Sequence, residues 1–397
     1  MSTSSRENHA RQTAAGEEPG RDRRTADTTG VEPLTLGVEE EYLLLDPDSG
    51  LPLPRVEEVR AAADLHPALE SAEVQPELLQ SQVEIATPVC RDLSEVGGHL
   101  LRLRHSLASA AESSGCHLAA CGTAPYADTT PPAITDAPRY RSIRQDFSRL
   151  ADENLINGMH VHVGIPDRQT GVAVLNRLRP WLPLLVGLAA NSPLWYGTDT
   201  GFSSWRTVVF NRWPISGVPP RFADADDYDR RITELQDARM IRDRGQLYWQ
   251  ARLSERYPTL EVRAMDVQLR ADEAVMLAGL VRALATTVML EERDGHPAPE
   301  RTPESLAGAG WHAARYGMTE ALHDPATGRL RRVGDVVSDL VEYLTPALAL
   351  AGDERQVTSL LHRLLQEGNG ADRQRRALEK HGRRGLVDMI AEESAAS

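Results

Sequence analysis

Acidic side chains recur on short alternating stretches of this sequence, and their spacing suits cation chemistry. Glu39 and Glu41 lie two residues apart in the apolar stretch 34–45, so in a β-strand they share one face. Glu84 falls in a second alternating stretch, from 82 to 87. Neighbouring carboxylates repel each other unless positive charge lies between them, and hard oxygen ligands suit Mg²⁺ or Mn²⁺. A single such pair is as typical of a solvated strand face, so the prediction depends on how many stretches repeat the pattern.

Two further stretches repeat it. His160 and His162 alternate with valines, and Glu261 shares a strand face with Arg263. A His-x-His pair on a strand also binds zinc in dinuclear hydrolases, so a zinc site is an alternative. Glutamates outnumber histidines here, which favours an oxygen-preferring ion such as Mg²⁺. Only one of the two histidines is then needed as a ligand, and the other can simply pack under the sheet.

The four polar faces are each backed by apolar residues, which is typical of half-buried strands in an antiparallel sheet with helices behind it. Together they would place four carboxylates on one concave surface, and that density of charge is tolerable only with bound cations. Glu40 points the other way, beside Val38 and Tyr42. We therefore expect Glu40 to have a structural partner, such as an arginine, rather than a metal ion.

Hydrophobic periodicity predicts the elements that hold these strands. Strands are predicted at 34–45, 82–87, 116–122, 157–164 and 259–268, and helices at 55–71, 92–114, 172–190 and most of 272–392. Residues 1–32 have few apolar side chains and are predicted to form a disordered polar tail. We expect a single catalytic domain at 33–392 and a short tail at 393–397.

Several arginines are candidates for phosphate or carboxylate contacts, because a planar guanidinium group pairs bidentately with both. They are Arg206, Arg263, Arg315, Arg373 and Arg375. For each one alone, a surface salt bridge is the simpler interpretation, and Arg263 is the best candidate because it lies beside Glu261. Asn369, in Glu367–Gly370, lies either in a phosphate-binding turn or at the end of a helix.

Composition limits the partners. Lys and Arg number 44 against 58 Asp and Glu, a net charge of −14, which argues against general binding to nucleic acid or to an anionic membrane. The three cysteines, Cys90, Cys116 and Cys121, match no disulfide or zinc pattern and are expected to be buried thiols in a reducing compartment. No signal segment or apolar run long enough to span a bilayer is evident, so we expect a cytoplasmic protein.

Read together, the motifs resemble those of the carboxylate–amine ligase family, in its type 2 glutamate–cysteine ligase-like group. The matching stretches are Gly37–Glu41, Glu84–Pro88, Gly158–Gly164, Thr200–Arg206, Thr259–Val267, Trp311–Gly317 and Gly368–Arg375. They occur in order over about residues 34 to 380, and their joint occurrence is specific.

The resemblance implies an α+β, glutamine-synthetase-like fold, in which an antiparallel sheet forms a funnel for ATP, Mg²⁺ and an amino acid. It implies that the metal ligands are Glu39, Glu41, Glu84, His160 and Glu261, with Mn²⁺ as an alternative ion. We assign catalytic roles to Arg263, Glu261 and Arg206. We assign nucleotide binding to Arg263, Arg315, Arg373, Arg375 and Asn369.

The activity implied by the resemblance is ATP-dependent joining of the γ-carboxylate of L-glutamate to the amine of L-cysteine through an acyl phosphate. Nothing in the sequence identifies a cysteine pocket, so another amine stays open. Alternatives are phosphoryl transfer to a guanidino group on the same fold, a dinuclear metal hydrolase and an idle nucleotide-binding protein; retention of all five ligands weighs against the last. The expected partners are small amino-acid substrates and a second copy of the chain in a homodimer.

Overall fold

The computed structural model describes residues 28, 30–64, 69, 73–319 and 321–395. Within these residues the strands are β1 (Leu36–Leu45), β2 (Val74–Pro76), β3 (Gln82–Ala86), β4 (His117–Ala119), β5 (Gly158–Gly164), β6 (Leu194–Trp195), β7 (Thr198–Asp199), β8 (Ser216–Gly217), β9 (Tyr248–Trp249), β10 (Ala251–Leu253), β11 (Thr259–Asp266), β12 (Ala321–His323) and β13 (Leu330–Arg332). The helices are α1 (Val56–Asp64), α2 (Leu93–Ser113), α3 (Pro138–Phe147), α4 (Arg149–Asp152), α5 (Arg168–Leu178), α6 (Leu182–Leu188), α7 (Trp205–Phe210), α8 (Ala225–Asp237), α9 (Ala271–Arg293), α10 (Pro303–Tyr316), α11 (Val333–Ala351), α12 (Glu354–Glu367) and α13 (Gly370–Ala395), with 3₁₀ turns at Arg179–Trp181 and Arg244–Gln246.

One antiparallel sheet organises the chain. Its strands follow the order β10-β11-β5-β1-β3-β2, and β4 pairs with the C-terminal end of β1. Every pairing in this sheet is antiparallel, as predicted from the alternating polar and apolar faces. The predicted α+β funnel with helices behind the sheet is confirmed.

Alternation along β1 separates two environments. Val38, Tyr42 and Leu44 pack into the large core formed with the helices, whereas Leu43 and Leu45 belong to a second apolar cluster on the other face. The acidic residues Glu39 and Glu41 lie on that second face, so the polar site forms between the sheet and the smaller cluster.

Glu40 faces the helices, as expected, and its partner is an arginine. The Arg104 side chain on α2 donates to both Glu40 carboxylate oxygens, with an Nε–Oε2 distance of 2.9 Å, and both side chains are fully buried. Tyr42 Oη donates to the same carboxylate at 2.6 Å. Arg104 also donates to the carbonyls of Gln268 and Leu269, just after β11, so the contact ties α2 to two strands of the sheet.

The structure differs from the predicted boundaries at two places. The helix predicted at 172–190 divides into α5, a 3₁₀ turn and α6, because Pro180 and Pro183 lack the N–H that a continuous helix needs. The tail predicted at 393–397 is helical as far as Ala395, where α13 ends, and Ser394 Oγ accepts a hydrogen bond from Ala120 N at 2.8 Å. Most of 272–392 is helical, as predicted, with the hairpin β12–β13 between α10 and α11.

The strands predicted at 34–45, 82–87, 157–164 and 259–268 are present with ends that differ by at most two residues, whereas the strand predicted at 116–122 is reduced to β4. Most of the predicted tail 1–32, and the end of the helix predicted at 55–71, lie outside the described residues. The three cysteines are free and buried, as predicted. Burial raises the pKa of the Cys121 thiol to about 12.

Helix α9 corrects the statement that no apolar stretch is long enough to cross a bilayer. By length and composition α9 qualifies, but 94% of its apolar window is buried inside the protein. It packs against α2, α5 and α11 and is therefore the central core helix.

The buried Glu40–Arg104 pair generates a stability prediction. We expect Arg104→Ala to lower the free energy of unfolding by about 3–5 kcal/mol, because it leaves the Glu40 carboxylate buried and uncompensated. Arg102→Ala, two residues away on α2, is the matched control. Arg102 is 32% exposed and pairs with Glu73, so solvent screens this pair more than the buried one and its loss should cost less than that of Arg104. Urea denaturation measures both; equal losses in the two variants would contradict the assignment.

Candidate active site

The polar face of the sheet opens into a cavity of about 1040 Å³. All five sequence-predicted metal ligands line it, namely Glu39, Glu41, Glu84, His160 and Glu261. The predicted catalytic arginines, Arg206 and Arg263, line it too. Gln82, which shares the strand face of Glu84, instead donates to Ile156 O at 2.8 Å and is fully buried.

Strand register brings the charged residues together. Glu39 is paired with His160, Glu41 with Glu84, and Glu261 with His162. Directly paired residues on neighbouring antiparallel strands have Cβ atoms about 5 Å apart, so their side chains meet. Four strands that are distant in the sequence therefore contribute to one surface.

Two groups of three side chains have the geometry of cation sites. The first is Glu39, His162 and Glu261, and the second is Glu41, Glu77 and Glu84. In each group, one oxygen or nitrogen atom from every residue lies within 4.8 Å of the others. Four of the five predicted ligands thus fall into two groups, which also contain His162 and Glu77, and the fifth, His160, belongs to neither group.

The structure groups His162, rather than the predicted His160, with two carboxylates. His162 Nδ1 is 2.9 Å from Thr259 Oγ1, and this contact turns Nε2 towards Glu39 Oε1 at 3.3 Å. His160 lies between the two groups, with Nδ1 2.9 Å from Glu39 Oε2 and Nε2 3.7 Å from Glu41 Oε1. The role of His160 as a ligand stays a prediction, and His162 is the better-placed imidazole.

Glu77 is a site residue that sequence reasoning missed. It lies just after β2, and Tyr140 Oη on α3 donates to Glu77 Oε2 at 3.1 Å. The segment around Glu77 does not alternate as a strand does, so its side-chain direction was not readable. The available signal was its position seven residues before Glu84, since β2 and β3 form a hairpin.

Crowding of carboxylates perturbs the second group. Burial raises the pKa of Glu77 to about 7, and the nearby Glu41 adds to this effect. Burial also raises the pKa of Glu84 well above its usual range, with further contributions from Glu39, Glu77 and Glu41. Without a cation, burial therefore favours the protonated form of the Glu84 carboxyl, and the Glu77 carboxyl changes its charge near neutral pH.

The first group is compensated by positive charge. Burial would raise the pKa of Glu261, but Arg263 and Arg252 hold it well below its usual range. Arg252 Nε lies 2.7 Å from Glu261 Oε2, and Arg263 Nη1 contacts Glu261 Oε1. Burial would also raise the pKa of Glu39, but the hydrogen bond with His160 and the nearby His162 lower it.

Arg206 lies at the inner end of the cavity. Its guanidinium group is buried beside Gly158, whose N–H donates to Glu41 Oε2 at 2.5 Å. Arg206 Nη2 donates to Arg263 O at 3.3 Å, while Nε has no hydrogen-bond partner among the described residues. A buried guanidinium group with unused donors is suited to an anionic group of a ligand.

Four predicted nucleotide-binding residues do not line this cavity. Arg373 forms a buried pair with Glu273, with N–O distances of 2.6 Å. Arg375 pairs with Asp199 at 2.9 Å and donates to Phe202 O at 2.8 Å. Both arginines therefore have structural partners outside the cavity.

Arg315 and Asn369 are also placed elsewhere. The Arg315 guanidinium group stacks on the rings of Phe202 and Tyr316, 5.5 and 5.1 Å from their centroids. Asn369 follows the left-handed Gly368 that ends α12, donates to Gly187 O at 3.2 Å and accepts from Asp372 N at 3.2 Å. The helix-end interpretation of Glu367–Gly370 is the one that the structure supports.

The residues present fit a divalent cation such as Mg²⁺ or Mn²⁺. The donor set is dominated by carboxylate oxygens, which these ions prefer. The Nε2 atoms of His160 and His162 are buried and make no hydrogen bond to the described residues. The group that contains Glu39 and the group that contains Glu41 could each hold one ion.

Comparison with known proteins identifies the family. A family model described as glutamate–cysteine ligase family 2 matches residues 35–393. This chain belongs to that family.

The curated relatives are similar over nearly their whole length. A protein of Mycolicibacterium vanbaalenii named "Putative glutamate–cysteine ligase 2-2" is 44% identical over 364 residues, covering 91% of this chain and 98% of the relative. One of Salinispora arenicola named "Putative glutamate–cysteine ligase 2" is 43% identical, covering 90% and 94%.

Solved structures share the family's fold at low sequence identity. A glutamate–cysteine ligase of Francisella tularensis, solved in complex with AMP, has a TM-score of 0.67 and 12% identity over 92% of this chain and 90% of that one. A bifunctional glutathione synthetase of Pasteurella multocida has a TM-score of 0.64 and 15% identity over 91% of this chain and 52% of that one. Family and fold together support an ATP-dependent carboxylate–amine ligase of the glutamate–cysteine ligase type.

The raised pKa values in the second group predict a pH-dependent stability. With cations removed by EDTA, we expect the melting temperature to be lower at pH 8.5 than at pH 6.5. The folded protein binds more protons than the unfolded chain while Glu77 and Glu84 are protonated, so stability falls as pH rises through their folded-state pKa values. Added Mg²⁺ or Mn²⁺ should restore stability more at pH 8.5 than at pH 6.5, by about 2 °C or more.

The matched control is Glu84→Gln, in which the drop in melting temperature between the two pH values should shrink. Differential scanning calorimetry measures the melting temperature of both proteins at both pH values, with EDTA and with the added cation. A pH dependence that is identical in the variant and the parent protein would show that these carboxyls do not cause it.

Proposed function

We propose that this protein is an ATP-dependent, ADP-forming ligase that joins the γ-carboxylate of L-glutamate to an amine. The observation that carries the proposal is the pair of cation groups in one cavity with Arg206 and Arg263, in a chain that belongs to glutamate–cysteine ligase family 2. L-cysteine is the first amine to consider, because it is the one that the relatives' names contain.

The reaction proceeds in two steps. A γ-carboxylate oxygen of glutamate bonds to the γ-phosphorus of ATP, ADP leaves, and an acyl phosphate forms. The neutral amine nitrogen then bonds to the acyl carbon, the bond from that carbon to the phosphate oxygen breaks, and phosphate leaves. The proton lost by the amine passes to solvent.

The two cation groups have different roles in this scheme. Glu39, His162 and Glu261 lie beside Arg252 and Arg263 and would hold the ion that meets the ATP phosphates. Glu41, Glu77 and Glu84 would hold the ion nearer the carboxylate to be activated. Bound Mg²⁺ neutralises charge on the phosphates and on the transferred group.

The arginines supply charge that needs no rearrangement during the reaction. Arg263 is held by Glu261, and Arg206 is buried beneath the sheet surface, so both guanidinium groups are fixed in position. Preorganised donors of this kind stabilise charge that develops in a transition state.

The ligand carboxylates predict the effect of charge removal. We expect Glu39→Gln and Glu261→Gln each to lower Mg²⁺-dependent ADP release by about 100-fold or more. Each substitution replaces a negatively charged ligand of the ion at the phosphates by a neutral amide and so weakens binding of that ion. Glu57→Gln, on an exposed face of α1, is the control and should retain parental activity.

The assay uses ATP, glutamate and hydroxylamine, a small nucleophile that traps an acyl phosphate as γ-glutamyl hydroxamate. ADP and hydroxamate should form together. Full activity in both ligand variants would contradict the proposed site. Metal-dependent hydrolysis that is indifferent to ATP would favour a metal hydrolase instead.

A further inference from the structure

Asp266, the last residue of β11, is a buried carboxylate that the proposed reaction does not use. It is 1% exposed and is not among the residues that line the cavity. Its two oxygens accept three hydrogen bonds. Asn191 N and Ser192 Oγ donate to Oδ2 at 2.8 and 2.6 Å, and Ser204 Oγ donates to Oδ1 at 2.8 Å. Because all three partners donate, this position requires a carboxylate rather than an amide.

The two serines connect Asp266 to the start of α7, which carries Arg206. A hydroxyl group has one proton to donate, and in each serine that proton goes to Asp266. The serine oxygens in turn accept from the backbone. Arg206 N donates to Ser192 Oγ at 3.0 Å, and Thr207 N donates to Ser204 Oγ at 3.2 Å. Without the carboxylate both hydroxyl groups would be free to turn, so Asp266 fixes the backbone at Arg206.

The guanidinium group of Arg206 occupies space that Gly158 leaves open. Gly158 is paired with Asp266 across β5 and β11, and a Cβ atom on this glycine would lie 2.8 Å from Arg206 Cζ. Arg206 Nη2 donates to the carbonyl of Arg263, which lies in the bulge where the register of β11 with β5 shifts. The end of β11 therefore holds Arg206 both at its backbone and beside its guanidinium group.

Asp266 also balances the positive charge of Arg206. Burial lowers the pKa of the Arg206 guanidinium group, and the negative charges of Asp266 and Glu41 oppose this effect. Burial raises the pKa of Asp266, and Arg206 opposes that effect. A cation bound by Glu41 would compensate the charge of that carboxylate, whereas Asp266 would still balance Arg206.

We infer that Asp266 is the positioning residue for Arg206, and that it holds the guanidinium group charged and in a fixed place at the inner end of the cavity. The inference rests on the proposed function for the catalytic role of Arg206. The placement of the guanidinium group can be measured without that role.

The first test is a double-mutant cycle in the complete protein, with ATP, Mg²⁺, glutamate and hydroxylamine. We expect Asp266→Asn to lower kcat for ADP release by about 10-fold or more while KM for ATP changes by less than about 2-fold. The amide keeps the volume of the carboxylate, but it carries no charge and cannot accept from all three donors. In an Arg206→Lys background the same substitution should lower kcat by less than about 2-fold, because the positioned guanidinium group is already absent.

Asp353→Asn is the matched control. Asp353 is also a buried aspartate, and it pairs with Arg282 outside the cavity. Its substitution should lower the melting temperature and leave kcat unchanged. Losses of kcat for Asp266→Asn that are equal with Arg206 and with Arg206→Lys overturn the inference, because a purely structural role makes the two substitutions additive.

Ser192→Ala provides the test if Asp266→Asn fails to fold. It leaves the carboxylate and two of its donors in place and removes the oxygen that accepts from Arg206 N. We expect kcat to fall by about 3-fold or more, and only in the protein that retains Arg206. An equal fall in the Arg206→Lys background overturns the inference here too.

The second test is independent of activity. Arg206 Nε is buried, so its proton should exchange slowly with water and give a separate ¹⁵N–¹H signal, which is identified by its loss in Arg206→Lys. We expect Asp266→Asn to shift or broaden that signal. Gly158→Ala should do the same, because its methyl group meets the guanidinium group, and Asp353→Asn should leave the signal unchanged. An unchanged signal in Asp266→Asn overturns the inference.

The two tests give different results for failure of the inference and failure of the proposed function. Absence of ADP release by the parent protein with every amine refutes the proposed function, and the Nε signal still decides whether Asp266 holds Arg206. Full activity of the parent protein with additive losses in the cycle refutes the inference and leaves the proposed ligase intact.

Discussion

The constraint on which this structure depends is the electrostatic cost of placing five carboxylates on one face of a sheet. Glu39, Glu41, Glu77, Glu84 and Glu261 all line a single cavity. Arginines and histidines hold the pKa of Glu261 well below its usual range, whereas burial and mutual repulsion outweigh the effect of Arg263 at Glu77 and Glu84 and raise the pKa of both. In the cation-free protein the negative charge of these carboxylates is therefore only partly compensated, and bound divalent cations would neutralise the remainder.

Strand pairing holds these carboxylates close together despite their mutual repulsion. β1 lies in the middle of the sheet, with strands paired on both sides, and cannot move its acids apart without breaking register. On the back of the same strand, Glu40 is neutralised by Arg104, which also holds the end of β11 through two carbonyls. Three consecutive glutamates thus have three distinct environments, and one buried ion pair fixes the strand that carries the other two.

The cavity is lined by both charged and aromatic side chains. Charged residues surround the part where phosphoryl transfer would occur, whereas the enclosed end is aromatic. Arg206 lies at the boundary between them, with its guanidinium group over the Phe210 ring.

The residue pattern along the chain was sufficient to predict the sheet, its two faces and four of the five cavity glutamates. Period-two alternation assigns Glu39, Glu41 and Glu84 to one face and Glu40 to the other, because side-chain direction in a strand follows from position alone. The motifs likewise sufficed to indicate the family, which the comparisons then showed.

Which residues act together depends on contacts between segments that are distant in the sequence. Register selects His162 as the partner of Glu261, and the hairpin of β2 and β3 brings in Glu77, which no periodic pattern marked. Arg315, Arg373 and Arg375 looked equivalent to Arg206 in the sequence, yet helix packing gives them structural partners outside the cavity. Such contacts form between segments that are far apart in the sequence, and local residue patterns do not show which of those segments meet.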